Sequence, residues 1–166
     1  HQKKKGWVVL MNYVYESALD LAKYVVTKCV KDSMPITNYR LQMVLYLIQL
    51  AMMRETGDFA FCDDIEAWSF GPVVPDVYYS MCSSGALPIL DSFKRVIEPQ
   101  GRAKAIVDSL IEDTQSLPSY ELFKEISGEE SPWEITYDKG NKEIISLSMM
   151  FRYVRPFDNN SVIASV

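Results

Sequence analysis

The sequence predicts a mainly α protein with a minor β component: a compact bundle of about six helices around one central apolar helix, with short strands. Three observations carry this. Apolar residues recur at helical spacing in several separate stretches. One of these, Asn38 to Glu55, is apolar nearly all round. The alternating runs that suit strands are all short, Phe59-Ala60-Phe61 and Ile65-Glu66-Ala67-Trp68 being the clearest.

The first helix is predicted from Tyr15 to Val30. Ala18, Leu21, Ala22, Val25, Val26 and Cys29 form its inner face, with Asp20, Lys23, Thr27 and Lys28 outward. Asp32-Ser33-Met34-Pro35 ends it, because the residue before a proline avoids helical dihedrals. Thr37 is placed to cap the next helix and Gly57 to stop it. A helix with so little polar surface belongs in the middle of the domain. Gln42, Tyr46 and Gln49 form a narrow polar stripe along it. Buried amides need partners, so hydrogen bonding to neighbouring loops is the expected role of this stripe, with ligand binding the alternative.

Pro75 opens a short helix, with Asp76 suited to its positive end. Val77, Tyr78, Met81 and Cys82 are expected on its inner face, and Ser83-Ser84-Gly85 closes it. Ser92 to Val96 reads as a short edge strand. Arg102 to Thr114 is amphipathic, with Ala103, Ile106, Val107, Leu110 and Ile111 on one side. Ser119 to Ile126 is a short helix stopped by Gly128. Asp138-Lys139-Gly140-Asn141 is a turn signal whose alternating flanks, from Trp133 to Ile145, suit a small hairpin. Ser146 caps a last helix ending at Arg155 before Pro156, with Ile145 stapled onto Met150.

The 166-residue length suits one domain, expected over residues 11–156. Residues 1–10 read as either a tag remnant ahead of Met11 or a native basic extension, and 157–166 as a tail in which Val162-Ile163 could pair with a neighbour. The formal charge is −5, and without Lys3, Lys4 and Lys5 of the first ten residues it is −8. An acidic body repels phosphate backbones and suits basic partners, so direct nucleic-acid binding is not expected. No apolar run approaches the roughly 20 residues of a membrane span, and no membrane role is expected. Cys29, Cys62 and Cys82 are scattered and odd in number, which reads as reduced thiols in a cytoplasmic protein.

Catalytic chemistry has little to work with. The single histidine is His1, so a Ser-His or Cys-His pair requires the N-terminus to fold back. Zinc needs grouped Cys or His ligands, and the seven glycines make no phosphate loop. Asp63, Asp64 and Glu66 are close enough to suggest a hard-cation site, but their spacing matches no ordered cation loop and a solvated turn is expected. No cofactor, metal or catalytic residue is assigned.

Ile65 to Tyr78 stands apart: IEAWSFGPVVPDVY. Gly71 can take dihedrals closed to other residues, and Pro72 and Pro75 lock φ. Tyrosine and tryptophan are also the side chains that anchor protein interfaces, and a rigid connector loses little entropy on binding. The expected partner-binding residues are therefore Glu66, Trp68, Phe70, Pro72, Val73, Val74, Pro75 and Tyr78, against the alternative that they only shape the turn.

Leu41-Gln42-Met43-Val44-Leu45-Tyr46 with Gln49 resembles the "LQKLLYFAQ" helix of the Panacea domain. Thr56-Gly57, Phe61, Ile65 to Trp68 and Gly71 to Tyr78 resemble its next block. Ser131-Pro132-Trp133, Ile144 or Ile145, and the helix from Ser146 to Val154 resemble its closing block. The resemblance spans roughly Ser17 to Tyr153. Two positions depart from it: Ser127-Gly128 replaces a Thr-His or Ser-His pair, so any role of that histidine is missing here, and Met43 stands where many members carry lysine. The resemblance, to SocA-type antitoxins and phage-associated GepA-like proteins, implies a non-enzymatic bacterial or mobile-element antitoxin that binds and neutralises a cognate protein toxin. It also implies the alternatives of an adaptor delivering the toxin to a cytosolic protease, or an accessory interaction protein. The oligomeric state is left open.

Overall fold

The computed structural model describes residues 12–156, so the predicted N-terminal extension and C-terminal tail lie outside the described residues. The elements in order are β1 (Tyr13–Tyr15), α1 (Ala18–Lys31), α2 (Asn38–Thr56), β2 (Phe59–Phe61), β3 (Glu66–Trp68), β4 (Gly71–Val73), α3 (Pro75–Ser80), α4 (Gly101–Gln115), α5 (Ser119–Ile126), α6 (Pro132–Thr136) and α7 (Leu147–Val154), with a 3₁₀ turn at Cys82–Ser84 after α3. The expected mainly α architecture with short strands is what forms.

Helix α2 is the axis. Thr37 caps it by accepting the Arg40 N–H, and Gly57 ends it with φ of 75°. From Leu41 to Met53 its side chains are buried on nearly every side, with Leu47 half-buried. The helices α1, α3, α4, α5 and α7 and the strands β2 and β4 all pack on it. Burial of Leu41, Leu45, Ile48, Met52 and Met53 in one continuous core supplies the main driving force.

Two small sheets sit beside this axis. β1 runs parallel to β2, with Tyr13 opposite Phe59 and Tyr15 opposite Phe61. β3 and β4 form an antiparallel hairpin, with Glu66 opposite Val73 and Trp68 opposite Gly71.

Several expectations need correction. Tyr15 lies in β1, not in the first helix. Ser17 accepts the Leu19 N–H and so starts α1 at Ala18, leaving the preceding residues extended against β2. Ser92 to Val96 forms no strand; the segment that contains it is tied to the fold by an isolated bridge between Thr37 and Pro88 and by the Tyr15 hydroxyl, which donates to Ile97 O at 2.7 Å. Cys82 is exposed, because the 3₁₀ turn rotates it off the buried face that Val77 and Met81 occupy. The hairpin expected between Trp133 and Ile145 does not form. Ser131 caps α6 instead, accepting the Glu134 N–H. The chain then makes the expected turn at Asp138–Asn141, where Asn141 N–H donates to Asp138 O at 2.9 Å. From there it joins β3: Ala67 N–H donates to Glu143 O and Ile145 N–H to Ile65 O, each at 2.8 Å.

Candidate protein-binding site

The polar stripe of α2 is structural, as the demand for hydrogen-bond partners implied. Gln49 accepts the Ala60 N–H at 2.7 Å and donates to Phe61 O at 2.8 Å, holding β2. Gln42 accepts the Val74 N–H at 2.9 Å and donates to Asn38 Oδ1 at 3.0 Å. Asn38 in turn donates to Tyr78 O at 3.0 Å. One chain of buried amides thus runs from α2 through the start of α3. Tyr46 is different. Its hydroxyl is buried without a hydrogen-bond partner. Burial pushes its pKa well up, and the nearby Trp133 backbone offsets this only in part.

The connector splits into an inner and an outer half. Pro72, Val73 and Val74 are buried, and Trp68 is only 7% exposed. Four of the eight residues expected to meet a partner are therefore interior and hold the connector in place. Glu66, Pro75 and Tyr78 are half-buried, and Phe70 is 37% exposed. Gly71 carries φ of 133°, which lets the hairpin turn back between Trp68 and Val73.

Trp68 organises the outer half. Its indole N–H donates to Glu66 Oε1 at 2.8 Å, and its backbone carbonyl accepts the Trp133 indole N–H at 3.0 Å. Around its ring stand Tyr78, Phe70 and Tyr79 at centroid separations of 5.1, 5.7 and 6.2 Å. The Phe70 and Tyr78 contacts to Trp68 are edge-on, the arrangement favoured by the ring quadrupole. Lys142 places its ammonium 4.1 Å from the Trp68 centroid. Tyr39 of α2 meets Phe70 edge-on at 5.9 Å.

Three of these rings, Tyr39, Phe70 and Tyr78, line a groove of about 600 Å³ together with Cys82 and Ser119 among others, with no charged side chain in its wall. Sequence reasoning missed Tyr39 and Lys142 as parts of this site, and left Tyr79, at the end of the aromatic Phe70 to Tyr79 segment, out of the eight expected residues. Tyr39 stood among many aromatics with nothing to single it out, and Lys142 is brought in only because the segment after it bridges to β3 at Ile144.

The acidic residues considered for cation binding are used locally. Asp63 accepts the Ala18 N–H at 2.9 Å, in the first turn of α1, and its burial raises its pKa. Among the described residues no group of three or more Asp, Glu, His or Cys side chains is gathered as a cation site. No described helix is long and apolar enough to cross a membrane.

Residues 41–134, more than half of the chain, match the family described as Antitoxin SocA-like, Panacea domain. The chain belongs to this family. The matched span opens at Leu41 in α2 and closes at Glu134 in α6, so it includes both buried glutamines, the hairpin and most of the aromatic cluster. The membership agrees with the resemblance carried by the α2 helix and the Gly71 to Tyr78 block. Comparison of this Panacea domain with curated proteins and with solved structures produced no match. An antitoxin-like family of this kind suggests a toxin-antitoxin role with a protein partner and is generally non-enzymatic.

Proposed function

We propose that this Panacea domain is an antitoxin that neutralises a cognate protein toxin by binding it directly in the cytoplasm, through the rim formed by Phe70, Tyr78 and Tyr79. The observation that supports this most is the pairing of a rigid support with an exposed aromatic edge. Tyr79 is 60% exposed. It stands on a connector fixed from inside by Gln42, Asn38 and Trp133. Aromatic anchors held in advance lose little entropy when a partner covers them. The acidic charge of −5 favours a basic partner.

Co-expression with the product of the adjacent reading frame tests the reading. Wild type should restore growth and retain the toxin in a pull-down. Tyr79→Ala and Phe70→Ala should each weaken the complex by roughly 10- to 100-fold, the range of interface hot spots. Tyr120→Ala, at a ring more exposed than either but on α5, should not. Folded Phe70 and Tyr79 variants that rescue growth as wild type does would move the contact elsewhere. Toxin half-life in the same cells separates masking, which leaves it unchanged, from delivery to a protease, which shortens it.

A further inference from the structure

A second cavity lies on the side of α2 away from the hairpin's glutamine contacts, between α1, α2 and α4. It has a volume of about 130 Å³ and is lined by Cys29, Met34, Val44, Ile111, Thr114 and Arg40 among others. Arg40 is the one charged side chain in this wall. A guanidinium has five N–H donors. Two of them are engaged, Nη1 on Ser119 Oγ at 3.2 Å and Nη2 on Thr114 O at 2.9 Å. The other three have no hydrogen-bond partner among the described residues, and no described carboxylate forms an ion pair with Arg40. Thr114 lies in the last turn of α4, whose carbonyl end carries partial negative charge and makes the half-buried cation tolerable. That tie uses a minority of the donors.

We propose that this cavity binds a compact aliphatic carboxylate, with its two oxygens on the free donors of Arg40 and its alkyl body against Val44, Ile111 and Cys29. A planar carboxylate matches the guanidinium fork in two parallel hydrogen bonds. The size agrees: a cavity of about 150 Å³ admits benzene, so this one takes roughly four to six heavy atoms. The apolar part of the wall, Cys29, Val44 and Ile111, disfavours a phosphate, which has no apolar part to cover it. Asp32, which accepts from Gln115 of the cavity wall at 2.9 Å, is also paired with Lys28 at 3.1 Å. The carboxylate belongs either to a free short-chain acid or to the C-terminus of a polypeptide. The cavity and the aromatic-bordered groove meet at Ser119, which accepts from Arg40 and lines the groove, but carboxylate binding here does not depend on a toxin covering Phe70, Tyr78 and Tyr79.

The test is a titration of the ¹⁵N,¹³C-labelled full chain, following the Arg40 Nε–H signal and the methyls of Val44 and Ile111. Isobutyrate should move all three saturably, and isobutyramide, its neutral isostere, should bind at least tenfold more weakly. Inorganic phosphate should leave the two methyls in place. Acetyl-Gly-Gly-Val with a free carboxylate, compared with its C-terminal amide, assigns the source. Tighter binding than isobutyrate supports a polypeptide terminus, and weaker binding supports a free acid. Arg40→Gln should abolish the isobutyrate response; if that variant does not fold, the acid–amide comparison on the unaltered chain still decides. Equal responses to isobutyrate and isobutyramide, or no saturable shift at these three signals, would overturn the proposal.

Discussion

Gln42 accepts the backbone N–H of Val74 at 2.9 Å, and both groups are buried. A side chain of the central helix thereby completes the hydrogen bonding of the residue that precedes α3. Removing it orphans a buried N–H, whose desolvation is not recovered elsewhere. Gln42→Met, close in volume, should cost about 2–4 kcal/mol by urea unfolding and should loosen α3 in hydrogen exchange before the rest of the fold. A loss under about 0.5 kcal/mol would show that another group accepts the Val74 N–H.

Gly71 and Gly128 make opposite predictions. Gly71 has φ of 133°, and a Cβ there would meet Met43 and Phe123 at 3.8 Å, so space is adequate and the dihedral alone is the obstacle. Gly71→Ala should cost about 1–3 kcal/mol. A Cβ on Gly128 meets nothing within 4 Å and its φ is ordinary. Gly128→Ala should be neutral within about 0.5 kcal/mol, or slightly stabilising through the unfolded chain. Thermal unfolding of the two variants side by side checks both.

Tyr46 is the described side chain with a buried oxygen lacking a partner. Tyr46→Phe removes that oxygen without opening a large void. The variant should be as stable as wild type or more stable by about 1 kcal/mol. Clear destabilisation would mean that an internal water or the Trp133 amide satisfies the hydroxyl.

Acid should act through Asp108. It accepts from Tyr24 OH and from Lys104 Nζ, each at 2.5 Å. Burial raises its pKa, and the Lys104 and Tyr24 hydrogen bonds outweigh burial and hold it below the usual carboxylate range. A folded-state value below the unfolded one means the contribution is complete above about pH 3.9 and is lost as pH falls through the folded value. Asp108→Asn should lower Tm by about 2–4 °C at pH 7. The gap to wild type should close as the pH falls below about 3.9, because the wild-type carboxyl then becomes neutral as well. A gap independent of pH would assign the effect to shape, not charge.

Much of the fold was legible in the sequence, for local reasons. Thr37 and Gly57 bound α2 because capping and a left-handed stop depend on a few adjacent residues. Ser119 to Ile126 forms as read, and Ser146 caps α7 by accepting the Met149 N–H. What was not legible depends on a second segment far along the chain. Tyr13 to Tyr15 becomes a strand only because β2 offers it an edge. Residues 143–145 pair with β3, not with each other across the turn, because β3 has a free edge on that side.

The site divides the same way. The sequence by itself determined that α2 is central, that its glutamines need buried partners, and that Ile65 to Tyr78 is stiff and aromatic, since periodicity, polarity and proline content are properties of neighbouring residues. Only the tertiary structure decided which of those aromatics face outward. Val73 and Val74 turn inward to meet Gln42 and the core, while Phe70, Tyr78 and Tyr79 are left around Trp68 with Tyr39 and Lys142 beside them. Burial is set by what packs on a segment from elsewhere in the chain, and no local pattern contains that information.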